Sequence, residues 1–136
     1  MSDETASPTG DGVVAVIRKD GLYLLIQRAL NIRSGGLWCF VGGAVEPPES
    51  QEQALVREVQ EEVGLEVCPI EKVWECLSPN RLWRLHCWST SLQSHTVTPN
   101  PNEVADYRWM TPAEISRWPD VLPSVFEFFD ATGIPT

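Results

Sequence analysis

The sequence predicts an α/β (α+β) fold, a mixed β-sheet sandwiched between α-helices, and three observations carry that prediction. Apolar residues fill 43% of 136 positions, enough for one compact core. Short β-branched and aromatic runs alternate with segments of helical period. Those helical segments carry their own start and stop signals, with no repeat or linker between them.

The chain divides into an N-terminal tail, residues 1–11, and one domain over residues 12–136. Met1 to Asp11 is polar, has Asp3, Glu4 and Asp11 but no basic residue, and reads as flexible. It lacks the basic and apolar regions of a secretory signal. Gly12 to Arg18 and Leu22 to Arg28 are β-rich and flank Lys19-Asp20-Gly21, which predicts a hairpin. Leu37 to Val41 is a short aromatic strand running into Gly42-Gly43, and Pro47-Pro48 makes the next segment a loop. Ser50 and Gln53 form a capping box for a helix from about Gln51 to Val63, which Gly64 stops. Strands follow near Glu66–Leu77, Leu82–Leu92 and Val104–Trp109. Thr111-Pro112-Ala113-Glu114 starts a short helix ending near Trp118-Pro119, and a last helix spans Pro123 to Ala131.

Composition excludes several classes of function. The net charge of −9 argues against extended contact with nucleic acid or an anionic membrane. No run approaches the roughly 18 apolar residues of a membrane helix. Cys39, Cys68, Cys76 and Cys87 form no CxxC pair, so the expectation is a reduced, cytoplasmic protein, monomer or homodimer. The acid is unevenly placed. Glutamates 46, 49, 52, 58, 61, 62 and 66 stand against Arg57 alone.

On the predicted first helix, Leu55, Val56, Val59 and Val63 share one arc. Glu58, Glu61 and Glu62 share another at i, i+3, i+4, so their carboxylates are expected to converge. Like charges at this spacing repel, and a bound divalent cation reverses the sign. Hard oxygen donors of this kind favour Mg²⁺ or Mn²⁺, which also take phosphate oxygens as ligands.

Gly43, Glu49, Arg57, Glu58, Val59, Glu61, Glu62, Gly64 and Leu65 match GX5EX7REUXEEXGU, with U aliphatic, at every fixed position. A chance match has odds on the order of 10⁻⁸ at average residue usage. The chain thereby resembles the Nudix hydrolases (MutT-like) from about Gly12 to Ala131. The resemblance implies a Mg²⁺-dependent hydrolase that cleaves the diphosphate linkage of a small-molecule nucleotide by water attack at phosphorus. It implies Glu62 as principal metal ligand, Glu58 and Glu61 as further ligands, and the Gly43 carbonyl completing the set. Arg57 is implied to orient a glutamate, and Glu49 to support the loop. The water is activated by the glutamate at the Glu58 position in some relatives, while Glu103 lies in a loop that supplies a ligand or base in others. A solvated loop carboxylate is the competing reading of Glu103. Phe40-Val41-Gly42-Gly43 and Pro47-Pro48-Glu49 depart from the common Phe-Pro-Gly-Gly and Pro-Gly-Glu, which touches loop geometry rather than ligands.

Substrate contacts are less legible. Trp38, on the aromatic strand, is the candidate to stack on a nucleobase, with Trp83 and Trp88 as further strand indoles and core or sheet-face packing as the competing reading of each. Arg28 ends a strand beside the expected cleft and suits a substrate phosphate. Relatives that read oxidised guanine place Asn or Asp before the last helix, where this chain has Asp120. Two other readings stay open. One is a catalytically silent nucleotide-binding module of the same fold, and the other is an RNA 5′-end pyrophosphohydrolase.

Overall fold

The computed structural model describes residues 8–134. The first seven residues of the expected tail lie outside them. At the tail's other end strand β1 already begins at Gly10 and spans Gly10–Val16, two residues earlier than predicted. The remaining elements are β2 Arg18–Lys19, β3 Leu22–Arg28, β4 Trp38–Cys39, β5 Val41–Ala44, α1 Gln51–Val63, β6 Val67–Leu77, β7 Trp83–Leu92, β8 Val104–Met110, α2 Pro112–Arg117 and α3 Pro123–Thr132.

The strands form two sheets. The first has the order β5-β1-β7-β6, with β1 and β7 parallel and the other pairs antiparallel, so it is mixed as expected. In the second, β3 pairs with β2, β4 and β8, all antiparallel. This second sheet changes two details of the sequence reading. The Asp20-Gly21 turn, with both residues at positive φ, joins only β2 to β3, while β1 leaves to the other sheet. The aromatic strand splits at Phe40, so Trp38 and Cys39 pair with β3 and Val41 to Ala44 pair with β1. A run of five residues cannot show in which sheet each half finds its partner.

Helices cover both faces of the mixed sheet. Cys87 and Trp88 are consecutive on β7 and so face opposite sides. The Trp88 indole donates to Gln51 Oε1 of α1 at 2.9 Å. Trp74, the register partner of Cys87, packs against Phe128 of α3. Phe128 and Phe129 also meet Phe40, and Phe129 meets Tyr23, edge to face, which ties α3 to both sheets. Such aromatic pairs contribute roughly 0.5–1.5 kcal/mol each beyond their burial.

The predicted caps are in place. Ser50 Oγ accepts from the Gln53 amide and Gln53 Oε1 from the Ser50 amide, and Gly64 ends α1 at φ 68°. Thr111 and Glu114 make the same reciprocal pair at α2. Leu55, Val59 and Val63 are fully buried, whereas Val56, expected on that arc, is 40% exposed. No helix among the described residues is long and apolar enough to cross a membrane.

Candidate active site

Helix α1 lies against β5, so its acidic face meets the Gly42-Gly43 strand end. Glu58 and Glu62 are buried, at 9% and 6% exposure. Gly43 sits hard against them: a Cβ added there would overlap the Glu58 carboxyl. Any side chain at this position displaces the carboxylate, which is a physical reason for glycine. We expect Gly43→Ala to fold, since its backbone is in an ordinary strand, yet to lose divalent-ion affinity at least tenfold by titration calorimetry. Wild-type affinity in that variant would remove Glu58 from the ion site.

Arg57 organises the surrounding acids. Its Nε and Nη2 donate to the two oxygens of Glu49 at 3.1 and 2.6 Å, a bidentate pair. Its Nη1 donates to Glu58 at 3.1 Å and Glu61 at 3.2 Å, and Nη2 also to the Ala44 carbonyl at 2.9 Å. Glu49 in turn accepts from the Glu46 amide at 2.8 Å. One guanidinium thus fastens loop, strand and helix. These bonds hold the Glu49 carboxyl below its ordinary value and push Arg57 higher.

The predicted three-way convergence is not what the side chains do. Glu58 and Glu62 are both buried, and the Glu58 charge acts on Glu62. Glu61 is half exposed and turns to Arg57 instead. Among the described residues no three His, Cys, Asp or Glu side chains are grouped so as to hold a metal ion. Spacing on a helix sets which face a side chain leaves from, but the Arg57 partner decides where the Glu61 carboxylate ends.

Burial pushes Glu62 up to about 8, reinforced by the charges of Glu58 and Glu103. Burial also raises Glu58, with Arg57 opposing. Glu103 is therefore near the pair. Its carbonyl accepts from the Ala29 amide at 2.9 Å, which holds its loop against the end of β3. Its carboxylate has only a 3.5 Å contact from Asn100 Nδ2.

Beside the acids lies a cavity of about 260 Å³, lined by Gly12 and Val14 of β1, Arg28, Cys39, Phe40 and the Gly42–Ala44 strand, with Trp83, Leu85, Leu122, Ser124 and Val125 completing the wall. Arg28, Trp83, Leu85 and Leu122 also line a second, adjoining cavity that reaches Arg33 and Asn80. The Nε of Arg28 donates to the Arg33 carbonyl at 2.7 Å. Its charge reaches both Cys39 and Glu62, which places it between acids and cavity.

Two sequence candidates fall elsewhere. Trp38, the candidate to stack on a base, is buried edge-on against Trp118 at 5.7 Å and does not line the cavity. In a two-residue strand one register step decides which face a side chain takes. Asp120 does not line it either; its backbone carbonyl accepts from the Trp38 amide at 2.8 Å. The indole that does line it is Trp83, beside Phe40 and Leu85. Sequence offered little for Phe40, Leu85 or Leu122, which read as ordinary apolar positions.

A family model, the NUDIX domain, matches residues 7–129. The chain belongs to the Nudix family. Among its relatives, the CTP pyrophosphohydrolase of Escherichia coli (strain K12) is 41% identical over 114 residues, covering 76% of this chain and 84% of that protein. An 8-oxo-dGTP diphosphatase of Proteus vulgaris is 51% identical over 67 residues, 49% of this chain and 58% of that protein. The MutT protein from Methanosarcina mazei Go1 superposes with a TM-score of 0.84 at 25% identity, covering 93% of this chain and 94% of that one. The chain is thus a Nudix hydrolase, an enzyme of the class that acts on nucleoside diphosphate derivatives.

Proposed function

We propose that this Nudix hydrolase uses Mg²⁺ or Mn²⁺ to convert a nucleoside triphosphate to a monophosphate and pyrophosphate. The observation that carries the reading is the meeting of two features at Gly43 and Arg28. A buried carboxylate pair and an apolar, aromatic-walled cavity of base size adjoin there. The likeness to a CTP pyrophosphohydrolase, over 76% of this chain and 84% of that protein, supports a triphosphate of an ordinary base ahead of an oxidised one.

The donor set fits a hard divalent ion. Glu58 and Glu62 are buried on one helix face, and Gly43 supplies a carbonyl on a strand cleared of side chains. Glu58, Glu62 and the Gly43 carbonyl would hold the ion, with Glu61 swinging from Arg57 to join them. When bound, it neutralises charge on neighbouring phosphoryl groups, the role divalent ions play in phosphoryl transfer. Arg28 meets a phosphate oxygen between that point and the cavity, where Phe40 and Trp83 grip the base. Arg57 and Glu49 keep α1 and the loop in register.

The bond changes balance simply. A water oxygen bonds to one phosphorus, the anhydride P–O bond breaks, and the departing phosphoryl group keeps the electron pair as an anion. The water's proton goes to Glu103. Glu58 is engaged by Arg57 and Glu62, whereas Glu103 is free to accept. Glu103→Gln should therefore lower kcat by roughly 10²–10³. More than half the wild-type kcat in this variant moves the base elsewhere.

A panel of nucleoside triphosphates, nucleotide sugars, ADP-ribose and phosphomonoesters with Mg²⁺ tests the function. Pyrophosphate released from triphosphates at the highest kcat/KM is expected, and ¹⁸O-water locates the attacked phosphorus. Phosphomonoesters as the best substrates would overturn the reading. The free cysteines suit a reducing, cytoplasmic setting.

A further inference from the structure

The inner cavity has three firm walls and one that depends on a connector. Strands β1, β4 with β5, and β7 supply the first three, while the fourth is Leu122 with Ser124 and Val125. Ser124 and Val125 belong to α3, which the Phe128–Phe129 cluster anchors. Leu122 does not: it caps α3 without a side-chain hydrogen bond and ends the segment that joins α2 to α3.

That segment is fastened at a single residue of the strand layer. Trp38 donates its amide to the Asp120 carbonyl at 2.8 Å, and its own carbonyl accepts from the Leu122 amide at 2.9 Å. A lone parallel bridge, Trp38 to Val121, results. Asp120, between Pro119 and Val121, takes a left-handed φ of 62°, a conformation that costs a residue with a side chain some stability. Two backbone bonds around a strained residue are a weak hold.

Trp118 grips the same residue from the side-chain direction. Its ring meets Trp38 edge to face at 5.7 Å and 88°, and the Arg108 guanidinium lies over it at 4.8 Å. Both indoles are thereby committed to each other. The Trp118 indole N–H is buried with no acceptor, so packing rather than hydrogen bonding fixes the ring. Nothing in this arrangement touches the carboxylates or lines the cavity.

We propose that Trp118 is a positioning residue for substrate specificity: by clamping Trp38 it sets where Leu122 stands, and so the width of the base cavity. This rests on the reading of that cavity as the base site. Trp118 does not contact the substrate in this assignment. It acts through Leu122, one wall residue among rigid neighbours, and its loss loosens the fit of the base while the phosphate chemistry stays intact.

The test is steady-state kinetics of Trp118→Leu and Trp118→Phe with pyrimidine and purine nucleoside triphosphates. Binding of the corresponding nucleoside monophosphates to chelator-treated protein is followed alongside. For Trp118→Leu, KM is expected to rise about tenfold with kcat within twofold, and the preference between the two base sizes to narrow at least threefold. Monophosphate binding should weaken in parallel, a readout that needs no turnover. Trp118→Phe keeps an aromatic edge on Trp38 and should restore most of the wild-type KM. Leu122→Ala in the Trp118→Leu background should add less than it does alone, since both act on one wall. A fall in kcat with unchanged KM, or full additivity of the two substitutions, overturns the proposal. Should Trp118→Leu not fold, Arg108→Ala still decides, because it removes the guanidinium that covers the Trp118 ring, and a wild-type base preference in that variant overturns the clamp. Failure of every triphosphate in wild-type turnover would strike the proposed function instead, and monophosphate binding would still report on the clamp.

Discussion

Glu62→Gln is expected to lower kcat by roughly a thousandfold or more while leaving the fold intact. Glu62 is buried on the helix face that meets Gly43, where the charges of Glu58 and Glu103 act on it. An amide there keeps the shape and the hydrogen-bonding capacity but removes the charge that draws a cation. The fold should tolerate it, because the wild-type carboxyl, pushed up to about 8, is itself held mostly neutral near pH 7. Circular dichroism and steady-state kinetics at saturating Mg²⁺ check both halves. Retention of more than half the wild-type rate would remove Glu62 from the ion site.

The placement of that residue was legible in the sequence for a physical reason. The span from Gly43 to Leu65 is local, and a helix converts spacing directly into direction, so Glu58 and Glu62 had to share a face. Caps were equally readable, because Ser50 with Gln53 and Thr111 with Glu114 each act within one turn. The base cavity was not. Its wall draws on β1, β4, β5, β7 and the segment before α3, which approach only once two sheets are stacked. A sequence shows no sheet partner, so the split at Phe40 was hidden and with it the direction of Trp38. Glu61 failed differently. Its direction from the helix was predictable, but Arg57 Nη1 at 3.2 Å competes for its carboxylate. Strand β3 explains Arg28: pairing with β4 on one side and β8 on the other carries it to the cavity wall.

Chelator-treated protein should lose stability as pH rises from about 6 to 9, and Mg²⁺ or Mn²⁺ should restore it. A carboxyl raised in the folded state favours folding while it is protonated. Its contribution is complete below the ordinary value of 4.5 and is lost as pH climbs through the folded value, about 8 for Glu62. Glu58 is raised in the same direction, chiefly by burial, and adds to the same limb. Glu75 works oppositely. Lys72 and Arg84 hold it near 2, so its share is present above 4.5 and fades only in acid, well outside this window. If, as proposed, a divalent ion binds the ionised pair and not the unfolded chain, it stabilises by RT ln(1 + [L]/Kd), about 2.7 kcal/mol at a hundredfold excess. For a domain of this size that is roughly 8–13 °C in Tm. The ion's effect should grow with pH, because at pH 6 it must first displace the proton that burial favours on Glu62. Glu62→Gln should flatten the chelated protein's pH dependence and shrink the ion-induced shift together. Thermal melts at pH 6, 7, 8 and 9, with and without ion, measure all of this; a shift of equal size at every pH would separate ion binding from the Glu58–Glu62 pair.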